Sequence, residues 1–191
     1  PADSNGLTCG PHFDTSGYRG IPISYVSFDN VKIPRENMLG IPGSGYVLLM
    51  QAVDFARAFV GAACVGIARA AIDEALEYAK TRIIKNRPIA RNQGVSFILS
   101  ELITQLEASR MLVWKACELI DSALDYTVTS SMAKLIASEL AVRATSDGIL
   151  IMGQKCLTRS SLMEKLQRDA QFKRIIDGTS QIQKAIIANQ F

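Results

Sequence analysis

The sequence predicts a mainly α-helical fold, an up-and-down four-helix bundle preceded by a short β segment. From residue 46 onward, apolar side chains recur at spacings of three and four, which is the period of a helix with one buried face. The helical stretches are long and their connections are short, as in bundles. The first 40 residues are instead rich in Gly, Pro, Ser and Asp, with short β-branched and aromatic runs.

Five helical stretches follow the change in composition near residue 40. They are predicted from Tyr46 to about Arg82, Gln93 to about Ala123, Thr127 to about Met152, Leu162 to Ala170, and Thr179 to Asn189. Pro88 and its polar neighbours end the first stretch, and Gly153 ends the third. Small residues in the middle of the first helix allow a neighbouring helix or a ligand to approach closely. Trp114 is predicted to pack in the core.

Two strands are predicted before the helices, at Ile23–Phe28 and Val31–Ile33, bounded by Asp29-Asn30 and Pro34. Two or three strands cannot close a core alone. We therefore divide the chain into residues 1–40, the last strands of an incomplete β-domain, and residues 41–191, a helical bundle domain.

Composition narrows the functional classes. The net charge of +3 is too small to indicate nucleic-acid binding, and neither an amphipathic basic face nor a set of stacking aromatics is present. The sequence begins with no signal peptide and has no uninterrupted apolar run of membrane-spanning length. We expect a cytoplasmic protein, or one of the mitochondrial matrix if the source is eukaryotic, with no membrane span.

No metal site or hydrolase triad is predicted. The four cysteines lie far apart without metal-ligand spacing, and His12 is the single histidine. Three cysteines have apolar neighbours, which indicates free buried thiols in a reducing compartment. The serines of the second helix have no neighbouring base, and no glycine-rich phosphate loop of Walker or Rossmann type occurs.

Asp177 is the first candidate site residue, because it directly precedes a glycine where the last helix begins. A carboxylate that faces a pocket there can act as a general base. The same residue can instead cap the helix, unless Thr179 is the cap. Arg57, on an apolar helix face, either serves a site or pairs with Asp54 or Asp73.

A basic cluster lies at the end of the first long helix and comprises Arg82, Lys85, Arg87 and Arg91. Such a cluster meets the helix dipole favourably, and it can equally hold a pyrophosphate. The sequence leaves these two interpretations open.

Seven segments, in order along the chain, carry a resemblance to a known family: residues 26–40, 54–57, 78–82, 88–89, 92–97, 164–170 and 178–183. In these segments the sequence resembles the acyl-CoA dehydrogenase family. Residues 26–40 resemble the last strand and exit of that family's middle domain, and the rest resemble its C-terminal bundle. Each motif alone is weak, but the ordered set is specific. The family's complete subunit also has an N-terminal helical domain and the first part of the β-domain.

The resemblance implies α,β-dehydrogenation of an acyl-CoA thioester, in which a carboxylate takes the α-proton and FAD takes the hydride. It assigns the base to Asp177, where the family usually has glutamate, and substrate binding to Arg57 and Asp54. The alternative base position of the family, just before Arg57, is Ala56 here. Aspartate is one methylene shorter than glutamate and retracts the carboxylate by about 1.5 Å.

The resemblance also implies a set of FAD-binding residues: Arg82 at the pyrophosphate, and Gln93, Phe97, Thr179 and Gln181 around the adenosine half. Three departures accompany it. Lys85 replaces an aromatic residue and Asn86 replaces a glycine. The family's cross-subunit loop reads Leu150–Cys156 here, without two glycines that permit close backbone approach to the cofactor.

The implied assembly is a homo-oligomer, a dimer or a tetramer, formed through the bundle. We expect the C-terminal portion of an acyl-CoA dehydrogenase-like oxidoreductase that is inactive without the missing domains, which a partner chain can supply. The electron acceptor, an electron-transfer flavoprotein or oxygen, is left open, as is the acyl chain. The alternative hypothesis is a non-catalytic bundle subunit or scaffold that completes a partner's flavin site.

Overall fold

The computed structural model describes residues 2–191 and is mainly helical, as predicted. The helices are α1 (Gly45–Thr81), α2 (Gln93–Asp121), α3 (Thr127–Met152), α4 (Leu162–Ile175) and α5 (Ser180–Ala188). All five match predicted stretches, and four of them end within two residues of the predicted bounds. The fourth helix continues to Ile175 rather than ending at Ala170, because its apolar period persists through the buried Met163, Leu166 and Ala170.

Four short strands form two separate antiparallel pairs: β1 (Leu7–Cys9) with β2 (Val26–Phe28), and β3 (Ile83–Ile84) with β4 (Arg87–Pro88). The strand predicted at Val31–Ile33 is wrong. The β1–β2 ladder closes where Asp29 N–H donates to Gly6 O at 2.9 Å, and Asn30, with φ 49°, then turns the chain away. The strand predicted from Ile23 is confirmed only over its last three residues.

The core centres on the contact between α1 and α3, where both helices present small side chains. The apolar residues with at most 1% exposure are Ala58, Cys64, Ala68, Ala71, Ala75 and Ala79 on α1, and Ala133, Ala137, Ala141 and Ala144 on α3. With nothing longer than a methyl or thiol at these positions, the two backbones lie close together. The small residues predicted to admit a neighbouring helix admit α3.

The second helix contributes Leu99, Leu102 and Leu106 to this core. Trp114 does not join them, and its predicted core position is wrong. It is 55% exposed, with the Arg110 guanidinium 4.6 Å from its ring centroid. A cation over an indole ring is attracted to it, so Trp114 is satisfied at the surface.

By length and composition alone, α1 is apolar enough to cross a membrane, with an 18-residue window of mean hydropathy 1.6. The core helix of a globular bundle passes the same test, and 44% of that window is buried inside the protein. The absence of a membrane span stays a prediction from the sequence.

The segment before α1 is attached to α4. Tyr18 N–H donates to the buried Asp169 carboxylate at 2.7 Å, and the Tyr18 ring stacks on Phe172 at 5.4 Å. Arg168 also donates to the Ser16 carbonyl at 2.8 Å. Residues 16–18 are thus fixed to the bundle, and the division at residue 40 stays a prediction.

Candidate active site

Asp177 lies in the turn between α4 and α5, with its side chain exposed. Asp177 (φ 52°) and Gly178 (φ 93°) both take left-handed backbone conformations, which cost a non-glycine residue on the order of 1–2 kcal/mol. Thr179 is the N-cap of α5, because its Oγ1 accepts from Ile182 N–H at 3.4 Å. Of the two caps that the sequence allowed, the structure has Thr179, which leaves the Asp177 carboxylate free.

Within residues 2–191, no side chain hydrogen-bonds or pairs with the Asp177 carboxylate. The Asp177 backbone N–H likewise finds no acceptor in this part of the chain. The Asp177 carboxylate can therefore accept a hydrogen bond from a ligand at the turn, and the Asp177 backbone N–H can donate one.

Buried polar side chains of α3 and α5 anchor this turn to the bundle. Lys134, on α3 and fully buried, donates through Nζ to Arg174 O at 3.1 Å and Gly178 O at 2.7 Å. Gln183, also fully buried, donates through Nε2 to Gly178 O at 2.9 Å. Glu139 accepts from Arg174 Nε at 2.9 Å. Sequence reasoning missed Lys134; its position within the apolar run around Ala133 and Leu135 was the available signal.

Arg57 is 3% exposed and forms an ion pair with Asp54, one of the two partners that the sequence allowed. Its guanidinium also lies 3.4 Å from Ser131 Oγ, while the second Asp54 oxygen accepts from Thr127 Oγ1 at 3.1 Å. Both partners come from α3, so the third helix fixes the pair. Asp73 pairs with Arg69 instead, at 3.6 Å.

The third helix brings Arg57 and Asp177 to one end of the bundle. Ser131 and Lys134 are three residues apart and share a helix face. Burial lowers the pKa of Lys134, and the nearby Cys64 and Asp177 oppose that shift, while Arg57 adds to it. The Lys134 ammonium therefore lies within electrostatic range of both predicted site residues.

The opposite end of the bundle carries Arg82, which is exposed at the C-terminus of α1. Its N–H donates to Tyr78 O at 2.8 Å and its carbonyl accepts from Ile89 N–H at 2.9 Å. Among the described residues its guanidinium has no hydrogen-bond or ion-pair partner. Gln93 and Phe97, on the first two turns of α2, are exposed beside it. A free cation, an amide and an exposed ring fit a pyrophosphate and its adenosine.

The residues that depart from the family pattern lie at this same end. Lys85 (φ 50°) and Asn86 (φ 61°) form the two-residue turn of the β3–β4 hairpin, and both lie in the left-handed region that this turn requires. Asparagine tolerates that conformation, so Asn86 preserves the turn without a glycine. The Lys155 ammonium lies 5.4 Å from the Tyr78 ring centroid, which brings loop 150–156 beside Arg82.

The predicted cofactor residues thus fall into two groups. Arg82, Gln93 and Phe97 form one group, and Thr179 and Gln181 lie beside Asp177 in the other. Arg57 marks the Asp177 end of α1, and Arg82 follows it by 25 residues, a rise of about 37 Å along a helix.

Comparisons with known proteins agree with this architecture. Residues 43–191 match the family description "Acyl-CoA dehydrogenase, C-terminal domain". The chain is 36% identical over 188 residues to the mitochondrial short-chain specific acyl-CoA dehydrogenase of Rattus norvegicus, covering 98% of this chain and 46% of that protein. It is 38% identical over 183 residues to an acyl-CoA dehydrogenase of Bacillus subtilis, covering 96% of this chain and 48% of that protein.

Among solved structures, butyryl-CoA dehydrogenase from Megasphaera elsdenii superimposes with a TM-score of 0.95 at 33% identity, over 98% of this chain and 49% of that one. The bundle is that of the C-terminal helical domain of flavoprotein oxidoreductases. This chain belongs to the acyl-CoA dehydrogenase family, and it spans about half the length of the curated relatives it matches.

Proposed function

We propose that this chain is the C-terminal portion of an FAD-dependent acyl-CoA dehydrogenase in which Asp177 removes the α-proton of an acyl-CoA thioester. The observation that carries the proposal is an unpaired, exposed carboxylate on a left-handed turn that buried side chains hold from behind. A general base needs this combination of freedom at the carboxylate and rigidity in the backbone.

The chain's own residues have distinct tasks in this reaction. The Asp177 carboxylate accepts the α-proton, and the Asp177 N–H, free of a partner within residues 2–191, donates to the thioester oxygen as negative charge develops there. FAD, when bound, would supply the hydride acceptor for the β-carbon. The Arg57–Asp54 pair, fixed by α3, borders the acyl-binding side of the turn.

Arg82 would hold the FAD pyrophosphate, Gln93 and Phe97 the adenosine half, and Thr179 and Gln181 the part of the cofactor at the turn. Arg57, at the Asp177 end, and Arg82 are separated by a rise of about 37 Å along α1, which exceeds the reach of one dinucleotide within a single chain. We therefore infer a homo-oligomer in which Arg82 of one copy serves the Asp177 turn of another.

An apolar surface supports this assembly. A groove of about 470 Å³ runs between α1 and α2, lined by small and apolar residues that include Ala62, Gly66 and Ile103, together with the charged Arg69, Asp73, Glu107 and Arg110. Met111 on α2 is 59% exposed, and Phe59 on α1 is 53% exposed. Exposed apolar surface of this kind is typical of subunit interfaces.

The experiment combines this chain with the β-domain and N-terminal helical domain of its own longer polypeptide or of a relative. Purified protein is scanned for flavin absorbance and assayed with acyl-CoA of graded chain length. Either an electron-transfer flavoprotein or oxygen serves as the acceptor. We expect acyl-CoA to bleach the flavin, and residues 1–191 alone to give no turnover. A protein that binds no flavin but activates a separate flavin enzyme would instead be the scaffold of the alternative hypothesis.

A further inference from the structure

The structure points to a residue on α3 that controls Asp177 without touching the substrate. We propose that Lys134 is a positioning residue: its buried ammonium holds the carbonyls of Arg174 and Gly178, which lie before and after Asp177, and so sets where the carboxylate lies. This inference rests on the proposed role of Asp177 as the base, and it adds a residue that the sequence comparison did not assign.

The geometry is specific to the turn. The Lys134 ammonium has three protons, and two go to carbonyls on opposite sides of Asp177, Arg174 O at 3.1 Å and Gly178 O at 2.7 Å. Arg174 belongs to the last turn of α4, whereas Gly178 follows Asp177 directly. A single side chain from another helix thus ties together both ends of the segment that carries the carboxylate.

Helix capping explains only half of this arrangement. A cation near the C-terminus of α4 stabilises that helix through its dipole and its free carbonyls. An exposed lysine performs that task without the large cost of burying an ammonium. The Gly178 carbonyl, moreover, is not part of α4, so capping gives no reason for the shorter of the two bonds.

A second side chain holds the same carbonyl from the opposite direction. Gln183, on α5, donates to Gly178 O at 2.9 Å and approaches Asp177 O at 3.4 Å. The Gly178 carbonyl is therefore held between α3 and α5. The left-handed backbone conformation of Asp177 is intrinsically unfavourable. These hydrogen bonds hold the backbone of the turn in that conformation.

Burial and charge complete the argument. Lys134 is completely inaccessible, so its bonds to the turn do not compete with water. Cys64, Glu139, Arg57 and Asp177 are the titratable groups whose charges act on it. The charge of the Asp177 carboxylate opposes the lowering of the Lys134 pKa by burial, so the two groups interact electrostatically.

The decisive variant is Lys134→Met, in the complete flavoprotein that carries this chain. Methionine has similar length and suits a buried site, so it removes the two hydrogen bonds while filling the space. A carboxylate misplaced by about 1 Å loses on the order of 100-fold in rate. We expect kcat to fall by about that factor, with flavin content and the KM for acyl-CoA nearly unchanged. Amide hydrogen exchange at residues 176–180 should become faster.

Lys173→Met is the matched control. Lys173 is also buried, at 8% exposure, but its ammonium lies over the Tyr18 ring at 4.2 Å and makes no bond to the turn. The control should leave kcat and turn exchange unchanged. Gln183→Met, which removes the second donor to Gly178 O, should reproduce the kcat loss of Lys134→Met at smaller size. This second variant keeps the test decisive if Lys134→Met does not fold.

The possible outcomes distinguish the positioning role of Lys134 from the proposed role of Asp177 as the base. Unchanged exchange at residues 176–180 in Lys134→Met overturns the inference. Faster exchange with an unaltered kcat also overturns it, provided that Asp177→Asn is inactive in the same assay. Full activity in Asp177→Asn removes the proposed base itself, and a kcat loss shared equally by Lys173→Met reduces Lys134 to a general stabiliser.

Discussion

The two ends of the bundle position their candidate site residues by opposite means. At the Asp177 end, buried side chains of α3 and α5 tie down the backbone, and both Lys134 and Gln183 are fully buried. At the Arg82 end, the candidate side chains are exposed, and the segment after α1 is held by backbone hydrogen bonds and by the buried Ile89. Buried polar side chains organise one end, whereas the candidate side chains of the other end are solvated.

Because of this difference, substitutions at the two ends should change different properties of the protein. Substitutions at the Asp177 end disturb buried charges and hydrogen bonds, so they affect folding as well as chemistry. Substitutions at the Arg82 end act on solvated side chains and should affect binding alone. The following four experiments test that contrast.

Asp177→Asn should produce the largest effect. Because the amide cannot accept the α-proton, kcat should fall by about 10²–10⁴-fold, the range that a general base contributes. Asp177→Glu, which restores the missing methylene, should retain or raise kcat. Steady-state assays of the complete flavoprotein measure both, and equal activity in Asp177→Asn and the unmodified protein contradicts the base assignment.

Asp54→Ala should cost stability at the same end. It leaves the buried Arg57 guanidinium without its carboxylate, and breaking a buried pair costs about 3–5 kcal/mol. Urea unfolding measures the loss. The matched control is Asp73→Ala, which removes the exposed partner of Arg69 and should change the free energy of unfolding by less than about 0.5 kcal/mol. Equal losses in the two variants would show that the end is not organised by its buried pair.

Arg82→Gln should weaken FAD binding by about 10- to 100-fold, because one charge-assisted hydrogen bond to an anionic group is lost. Its melting temperature should not move, since the guanidinium has no partner among the described residues. Flavin fluorescence titration gives the affinity and thermal unfolding of the flavin-free protein gives the stability. A lowered melting temperature would place Arg82 in the fold rather than at a binding surface.

Cys64→Ala should give the smallest effect, a change in the pH dependence of stability, in addition to the pH-independent cost of shortening a fully buried side chain. Burial raises the pKa of the Cys64 thiol from 9.0 to about 11, so the folded state holds this proton more tightly than the unfolded state. The resulting stability is complete below pH 9 and is lost as the pH rises to about 11, at about 1.4 kcal/mol per pKa unit. Urea unfolding under reductant across this range should show a shallower decline in Cys64→Ala. Cys9→Ala, which removes an exposed thiol, should decline like the unmodified protein.

The long helices were predictable because their apolar period is sustained over many turns, which fixed α3 at Thr127–Met152 without error. Two-residue strands carry no such period, so the β3–β4 hairpin was missed. The segment Val31–Ile33 has the composition of a strand, but it has no partner strand to pair with. Local sequence does not show whether such a partner exists.

The contacts of the candidate site residues were likewise predictable only where they are local in sequence. The Arg57–Asp54 pair was foreseeable because residues three apart meet on a helix surface. The contacts of Lys134 with residues 40 and 44 positions away were not, since only the folded chain brings them together. The choice between Asp177 and Thr179 as the cap was settled only in the folded chain, where Thr179 Oγ1 accepts from Ile182 N–H.

The alanine-lined contact between α1 and α3 also affects the position of the Asp177 turn. Lys134 and Ala137 share one face of α3, so the spacing of the two helices sets how far the lysine, and the turn it holds, lie from α1. A larger side chain at Ala137 would therefore move the Asp177 turn as well as the core.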